Sequence, residues 1–229
     1  MSETILFLPG LLCDARLWRD QLAAFSNSVV ADLSQDSAID DMAARALGSV
    51  QGRFALAALS MGGYVALAIM RMAPHRVTRL ALFDTSARQD TPEQARRRRG
   101  LMAITRAHRF RGVTPKLLPQ LIHHDRLTDG EFCQEVIAMA ERVGREAFLR
   151  QQQAILSRID SRPHLPAIAC PTMVAVGDAD ILTPPELSEE MAGLIPGARL
   201  RRVPGCGHLP PMERPDEANK ILRDWLATG

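Results

Sequence analysis

An α/β fold on a mostly parallel sheet of about six strands is the architecture this sequence predicts. Short runs that are apolar throughout alternate with stretches whose apolar residues recur at helical spacing. Strands apolar on both faces belong to parallel sheets with helices on either side. The alternation stops between Ser86 and about Pro166, where the chain reads as helices only, and then resumes. A helical insertion between two strands is the simplest account, placed as a cap over one edge of the sheet. The core is expected over 1–85 and 167–229, with the helical cap over 86–166.

The elements follow in order. Ile5 to Leu8 is a short apolar run ending in Pro9-Gly10, a buried strand followed by a turn. "ARLWRDQLAAF" carries Leu17, Trp18, Leu22 and Phe25 at helical spacing, and "SVVADLS" is a second strand. "AIDDMAARALGSV" is a helix, with Asp40 and Asp41 suited to its N-terminus. "RFALAAL" is the third strand, followed by a helix from Gly63 to Met72, and "VTRLALFDTS" is the fourth strand. After the helical stretch, "PTMVAVGDAD", "PPELSEEMAGLI", "ARLRRVP" and "PDEANKILRDWLA" read as strand, helix, strand and helix.

Composition narrows the class. The 229 residues are 46% hydrophobic and 24% charged, ordinary for a globular protein. A net charge of +2 is too small to argue for a nucleic-acid partner. The four cysteines form no Cys-x-x-Cys pair and no zinc-like spacing, so free thiols in a reducing compartment are expected. "MSETILFLPG" has an acidic residue where a secretory signal is basic, and no apolar stretch is long enough to span a membrane. A cytoplasmic protein is the expectation. No G-x-G-x-x-G fingerprint and no P-loop are present, so no cofactor is expected. His123 and His124 are adjacent and would diverge on a helix, so no metal is expected there.

In a parallel α/β sheet, ligands bind beyond the carboxyl ends of the strands. The polar residues just after strands are Ser60, Asp84, Asp178, Asp180 and His208, together with the backbone at Gly10-Leu11. This set contains a nucleophile, a base and an acid. Ser60 ends a strand and opens a helix, and a turn that sharp holds its backbone under strain. Crowding there demands small residues two positions either side, and Ala58 and Gly62 are small. Amide groups at the helix start favour negative charge developing beside the serine. His208, in "VPGCGHLPPMERP", lies on a loop where it can take the serine proton and return it to a leaving group. Asp180, Asp178 and Asp84 are all candidates for the carboxylate behind it. Asp178 is also placed for an Asx-type turn bond beside Gly177.

"ALSMGG", "GDADILTPP" and "GCGHLPPMERP" together resemble the α/β-hydrolase superfamily, in the order serine, acid, histidine. Nearly the whole chain is covered, and the similarity is to small cofactor-free esterases, lactonases, C–C hydrolases and acyl-carrier methylesterases. The resemblance implies Ser60, Asp180 and His208 as a triad, since Gly177, Asp180 and Pro184 match the family's acid motif. It implies the backbone amides of Leu11 and Met61 as the oxyanion hole. Ala58 stands where the family has a glycine, and Pro9-Gly10 where it has His-Gly. The implied activity is hydrolysis of a small ester, thioester or lactone, the acyl substrate free or bound to a carrier. A lyase or acyl transferase using the same triad, or a non-catalytic binding protein, are the alternatives. Arg96 to Arg99 lie on a cap helix, either solvated or with one arginine turned to an anionic group. Cys13 is a rival nucleophile without an evident base.

Overall fold

The computed structural model describes residues 3–227, so residues 1, 2, 228 and 229 of the expected core lie outside the described residues. Six parallel strands, β1 (Ile5–Leu8), β2 (Ser28–Val30), β3 (Phe54–Leu59), β4 (Val77–Phe83), β5 (Thr172–Gly177) and β6 (Arg199–Val203), form one sheet. Their order is β2-β1-β3-β4-β5-β6. The chain runs outward from β1 to β2 and then returns to β1's other side as β3. That reversal opens a crevice beyond the carboxyl ends of β1 and β3, the natural ligand site of such a sheet.

Both faces of the sheet are buried, which explains the unbroken apolar runs. Phe7, Leu59 and Phe83 project to one face, against Trp18 and Trp225. Leu6, Leu8 and Leu56 project to the other, against Val65 and Ile69. Helices α2 (Ile39–Gly48), α3 (Met61–Met72) and α7 (Pro185–Leu194) supply the second face. A 3-10 turn (Ala15–Trp18), α1 (Arg19–Ala24) and the C-terminal helices α8 (Pro210–Glu213) and α9 (Pro215–Leu226) lie on the first. Trp18 stacks on Phe7 at 4.7 Å and meets Phe83 edge-on at 5.9 Å. The edge strand β6 differs, exposing Arg199, Arg201 and Arg202, charges that discourage pairing with another sheet.

Between β4 and β5 every regular element is helical: α4 (Pro92–Ala107), α5 (Leu118–Leu121), α6 (Gly130–Ser157) and two 3-10 turns. Thr91 opens α4 with a capping box, its Oγ1 accepting from the Gln94 N–H at 3.2 Å while Gln94 Oε1 accepts from the Thr91 N–H at 2.9 Å. Helix α6 breaks at Gly144, where φ is 80°. This left-handed residue lets the helix change direction above the sheet. The segment is tied down by Asp90, a buried carboxylate that meets Arg98 of α4 at 2.9 Å and Arg158 at 2.8 Å. Burial works against its charge, but the two guanidinium groups hold its carboxyl below the usual range. Among the described residues no helix is long and apolar enough to cross a membrane.

Candidate active site

Ser60 sits between β3 and α3 with φ 53° and ψ −115°, a conformation a side chain adopts only when its surroundings enforce it. The enforcement is visible. The Ser60 N–H donates to the Phe83 carbonyl at 3.0 Å, and its own carbonyl accepts from the Gly63 N–H at 2.8 Å and Thr85 Oγ1 at 2.7 Å. A Cβ on Gly62 would overlap the Leu8 carbonyl oxygen and lie 2.8 Å from that of Pro9, so only glycine fits. Ala58 is fully buried between Leu8 of β1 and Leu82 of β4.

His208 Nε2 lies 2.9 Å from Ser60 Oγ, and its Nδ1 lies 2.8 Å from Asp180 Oδ2. Ser60 is partly open, while His208 and Asp180 are buried. Thr183 Oγ1 donates to Asp180 Oδ2 at 2.6 Å, and the Leu182 and Thr183 amides donate to Oδ1 at 2.9 and 3.2 Å. Burial opposes the charge on Asp180, but the adjacent His208 and these donors hold its carboxyl below the usual range.

The other two carboxylates take different places. Asp178 is exposed, and its Oδ1 accepts from the Cys206 amide at 3.3 Å, bracing the turn near the His208 loop. Asp84 is fully buried with φ 43°, and its Oδ1 accepts from the Gly177 N–H at 2.8 Å. Its Oδ2 has no hydrogen-bond partner among the described residues, and Asp180 lies close by. Burial, followed by the charge of Asp180, raises the Asp84 carboxyl well above the usual range. Asp180 alone of the three is hydrogen-bonded to His208.

The Leu11 and Met61 amides make no hydrogen bond to protein among the described residues; Leu11 lies in the loop after β1 and lines the same cavity as Ser60, and Met61 is the first residue of α3, directly after Ser60. The loop after β1 is held from above. Leu12, at φ 58°, donates its N–H to Oε1 of the buried Gln151 at 3.0 Å, and Gln151 Nε2 donates to the Leu33 carbonyl at 3.2 Å. Support for this loop thus comes from α6. A second buried anchor is Glu213, which accepts from the amides of His123 at 2.6 Å, Gly207 at 3.1 Å and Leu209 at 2.9 Å. It grips both neighbours of His208. Neither residue stands out in the sequence: a lone glutamine in a helix carries no signal, although Glu213 lies within the "GCGHLPPMERP" stretch that holds His208.

A cavity of about 530 Å³ opens onto Ser60 and His208. Leu11, Leu101, Val136, Met139 and Phe148 make its wall largely apolar, and Arg97, Arg109 and Arg111 also line it. Cys13 borders it too, but burial, and then the charge of Asp14, push its thiol up to about 12. His123 and His124 are not on a helix. They open a 3-10 turn with ring centroids 4.0 Å apart, and His123 Nδ1 already accepts the Asp125 N–H at 3.3 Å. Another close group of potential metal ligands is formed by Asp84, Asp180 and His208, of which Asp180 and His208 are hydrogen-bonded to each other.

The sequence pattern of the alpha/beta hydrolase family matches residues 5–221. The chain belongs to that family. The pimeloyl-[acyl-carrier protein] methyl ester esterase of Aromatoleum aromaticum is 32% identical over 177 residues, covering 72% of this chain and 70% of that relative. A Klebsiella pneumoniae protein with a provisional carbamate hydrolase name is 30% identical over 178 residues, covering 76% of this chain and 66% of its own length. The chain thus spans about two thirds of the length of these relatives. A thermophilic esterase from Thermogutta terrifontis superposes with a TM-score of 0.90 at 30% identity, covering 99% of this alpha/beta hydrolase and 90% of the esterase. The enol-lactonase of Burkholderia xenovorans shares the fold, with a TM-score of 0.87 at 24% identity and coverage of 99% and 92%.

Proposed function

We propose that this protein is a serine hydrolase that cleaves a small ester, thioester or lactone through an acyl-enzyme. The observation that carries the reading is the hydrogen-bonded line from Ser60 Oγ through His208 to Asp180, opening onto an apolar cavity. Ser60 Oγ attacks the carbonyl carbon while His208 Nε2 takes its proton. Asp180 keeps the imidazole oriented and, remaining ionised, stabilises the imidazolium. The free Leu11 and Met61 amides receive the oxyanion, aided by the positive end of α3. His208 then returns the proton to the leaving group, and water repeats the sequence to release the acid. The helical segment from α4 to α6 acts as the cap and shapes the acyl pocket. Relatives named as esterases support the reaction class.

The test is labelling with a fluorophosphonate probe. The wild type is expected to gain one adduct on Ser60, and Ser60→Ala none; equal labelling of the two overturns the reading. Intact mass spectrometry after rapid quenching of a p-nitrophenyl ester reaction should reveal the acyl-enzyme. Turnover with no covalent intermediate would point instead to proton abstraction by the same residues.

A further inference from the structure

Charge is distributed unevenly along this chain. Between Glu93 and Asp125 there are seven arginines and one lysine and no acidic residue. That stretch therefore bears +8, and the rest of the chain −6. Outside it, arginines mostly meet carboxylates, as Arg45 does Asp36, Arg79 Glu3, Arg88 Glu190 and Arg142 Asp14. Within it, Arg98 turns inward to Asp90 and to Gln152. Arg97, Arg109 and Arg111 have no acidic partner among the described residues, and all three line the cavity that holds Ser60. Arg97 comes from α4, and the other two flank Phe110 in the loop after it. Among the described residues no aspartate or glutamate lines the cavity, and His108 lines it with the arginines.

A cleft with apolar walls and one sign of charge concentrates the field and draws in ligands of opposite sign. Guanidinium groups pair with carboxylates and phosphates through paired N–H donors. From this geometry we infer that the substrate is amphiphilic: its scissile carbonyl sits at Ser60, its chain lies on the apolar wall, and an anionic group on its far end is received by Arg97, Arg109 and Arg111. The inference rests on Ser60 being the nucleophile, and it adds the class of acyl ester that the cavity selects.

The experiment compares p-nitrophenyl esters of equal chain length, with background hydrolysis subtracted. Hexanoate and octanoate are the neutral pair; each is matched by an ester ending in a carboxylate and one ending in a phosphonate. At least one anionic ester is expected to show about tenfold higher kcat/KM at low salt, and the advantage should shrink at 0.5 M salt as the charges are screened. In the variant Arg97→Gln/Arg109→Gln/Arg111→Gln, the ratio of anionic to neutral ester should fall towards one. Anionic esters handled no better than neutral ones, or a ratio unchanged in the variant, overturn the inference. Fluorophosphonate labelling of the same preparation separates the two readings: labelled Ser60 without anion preference sinks only the substrate class. Calorimetry on Ser60→Ala reads the anion site without turnover. Octanoate is expected to bind about tenfold more tightly than octanamide, and equal binding overturns the proposal.

Discussion

Gln151, in the second half of α6, accepts the N–H of Leu12 at 3.0 Å across 139 residues of sequence. One buried side chain thereby ties the turn after β1 to α6. Its other end donates to Leu33, so both of its polar groups are used. The helical segment therefore supports the loop after β1, where the proposed oxyanion donor Leu11 lies.

If Leu11 is the oxyanion donor proposed above, Gln151→Leu should lower kcat for a p-nitrophenyl ester by about tenfold, with little change in KM, because such a donor acts in the transition state. Leaving the Leu12 N–H and the Leu33 carbonyl unpaired should also cost about 2 kcal/mol of stability. Steady-state kinetics and a urea melt check both. An unchanged kcat would mean that the Leu11 turn holds itself.

Glu213 accepts three amides, two of them from the residues flanking His208. Glu213→Ala should destabilise the protein by about 2–4 kcal/mol, since buried donors lose a charged acceptor. Glu213→Gln keeps one acceptor oxygen and should fall between the two. Chemical denaturation of the three proteins orders them, and any other order would contradict the anchoring role.

Asp84 and Asp180 should respond in opposite ways to the same substitution. Asp180→Asn is expected to cut kcat by about 10⁴, by leaving the imidazole without its carboxylate. Asp84→Asn keeps an acceptor for the Gly177 N–H and should stay within a few-fold of wild type. The pH dependence has a definite sign. The Asp84 carboxyl is raised in the folded state, so above about pH 4 the folded protein binds more protons than the unfolded chain. That contribution falls as pH rises towards the folded-state value. The stability of Asp84→Asn relative to wild type should therefore increase from pH 5 to pH 8. A pH-independent difference in Tm would show that the carboxyl ionises as easily in the fold as outside it.

The thiols should be inert. Burial raises the thiols of Cys13, Cys133, Cys170 and Cys206, and the charge of Glu213 raises Cys206 further. Thiolate is the reactive form. Iodoacetamide at pH 8 should leave activity intact and modify far less than one equivalent in the native state, against four in urea. Rapid loss of activity on alkylation would return Cys13 to consideration as a nucleophile.

How much of this was legible in the chain follows from the range of each interaction. The strand order along the sequence, the serine turn with Ala58 and Gly62, and the helical stretch after Ser86 are local patterns. Each is imposed by backbone geometry and burial within about ten residues, so the residue types record it. His123 and His124 depart from the helical spacing expected of them for the same reason: the chain makes a 3-10 turn there, which brings their rings together. Three aspartates end strands at the same sheet edge, and their spacing does not say which one reaches His208. The packing of β4, β5 and the β6 loop does, placing Asp180 at 2.8 Å, Asp84 on the Gly177 amide and Asp178 in solvent.

By itself the sequence determined the α/β framework and the position of Ser60, because apolar period and steric permission are written in neighbouring residues. Only the tertiary structure decided that Gln151 and Glu213 hold the loops and that three arginines gather at one cavity. Those contacts join distant segments through single hydrogen bonds or shared solvent-facing charge, and neither leaves a periodic trace in the chain.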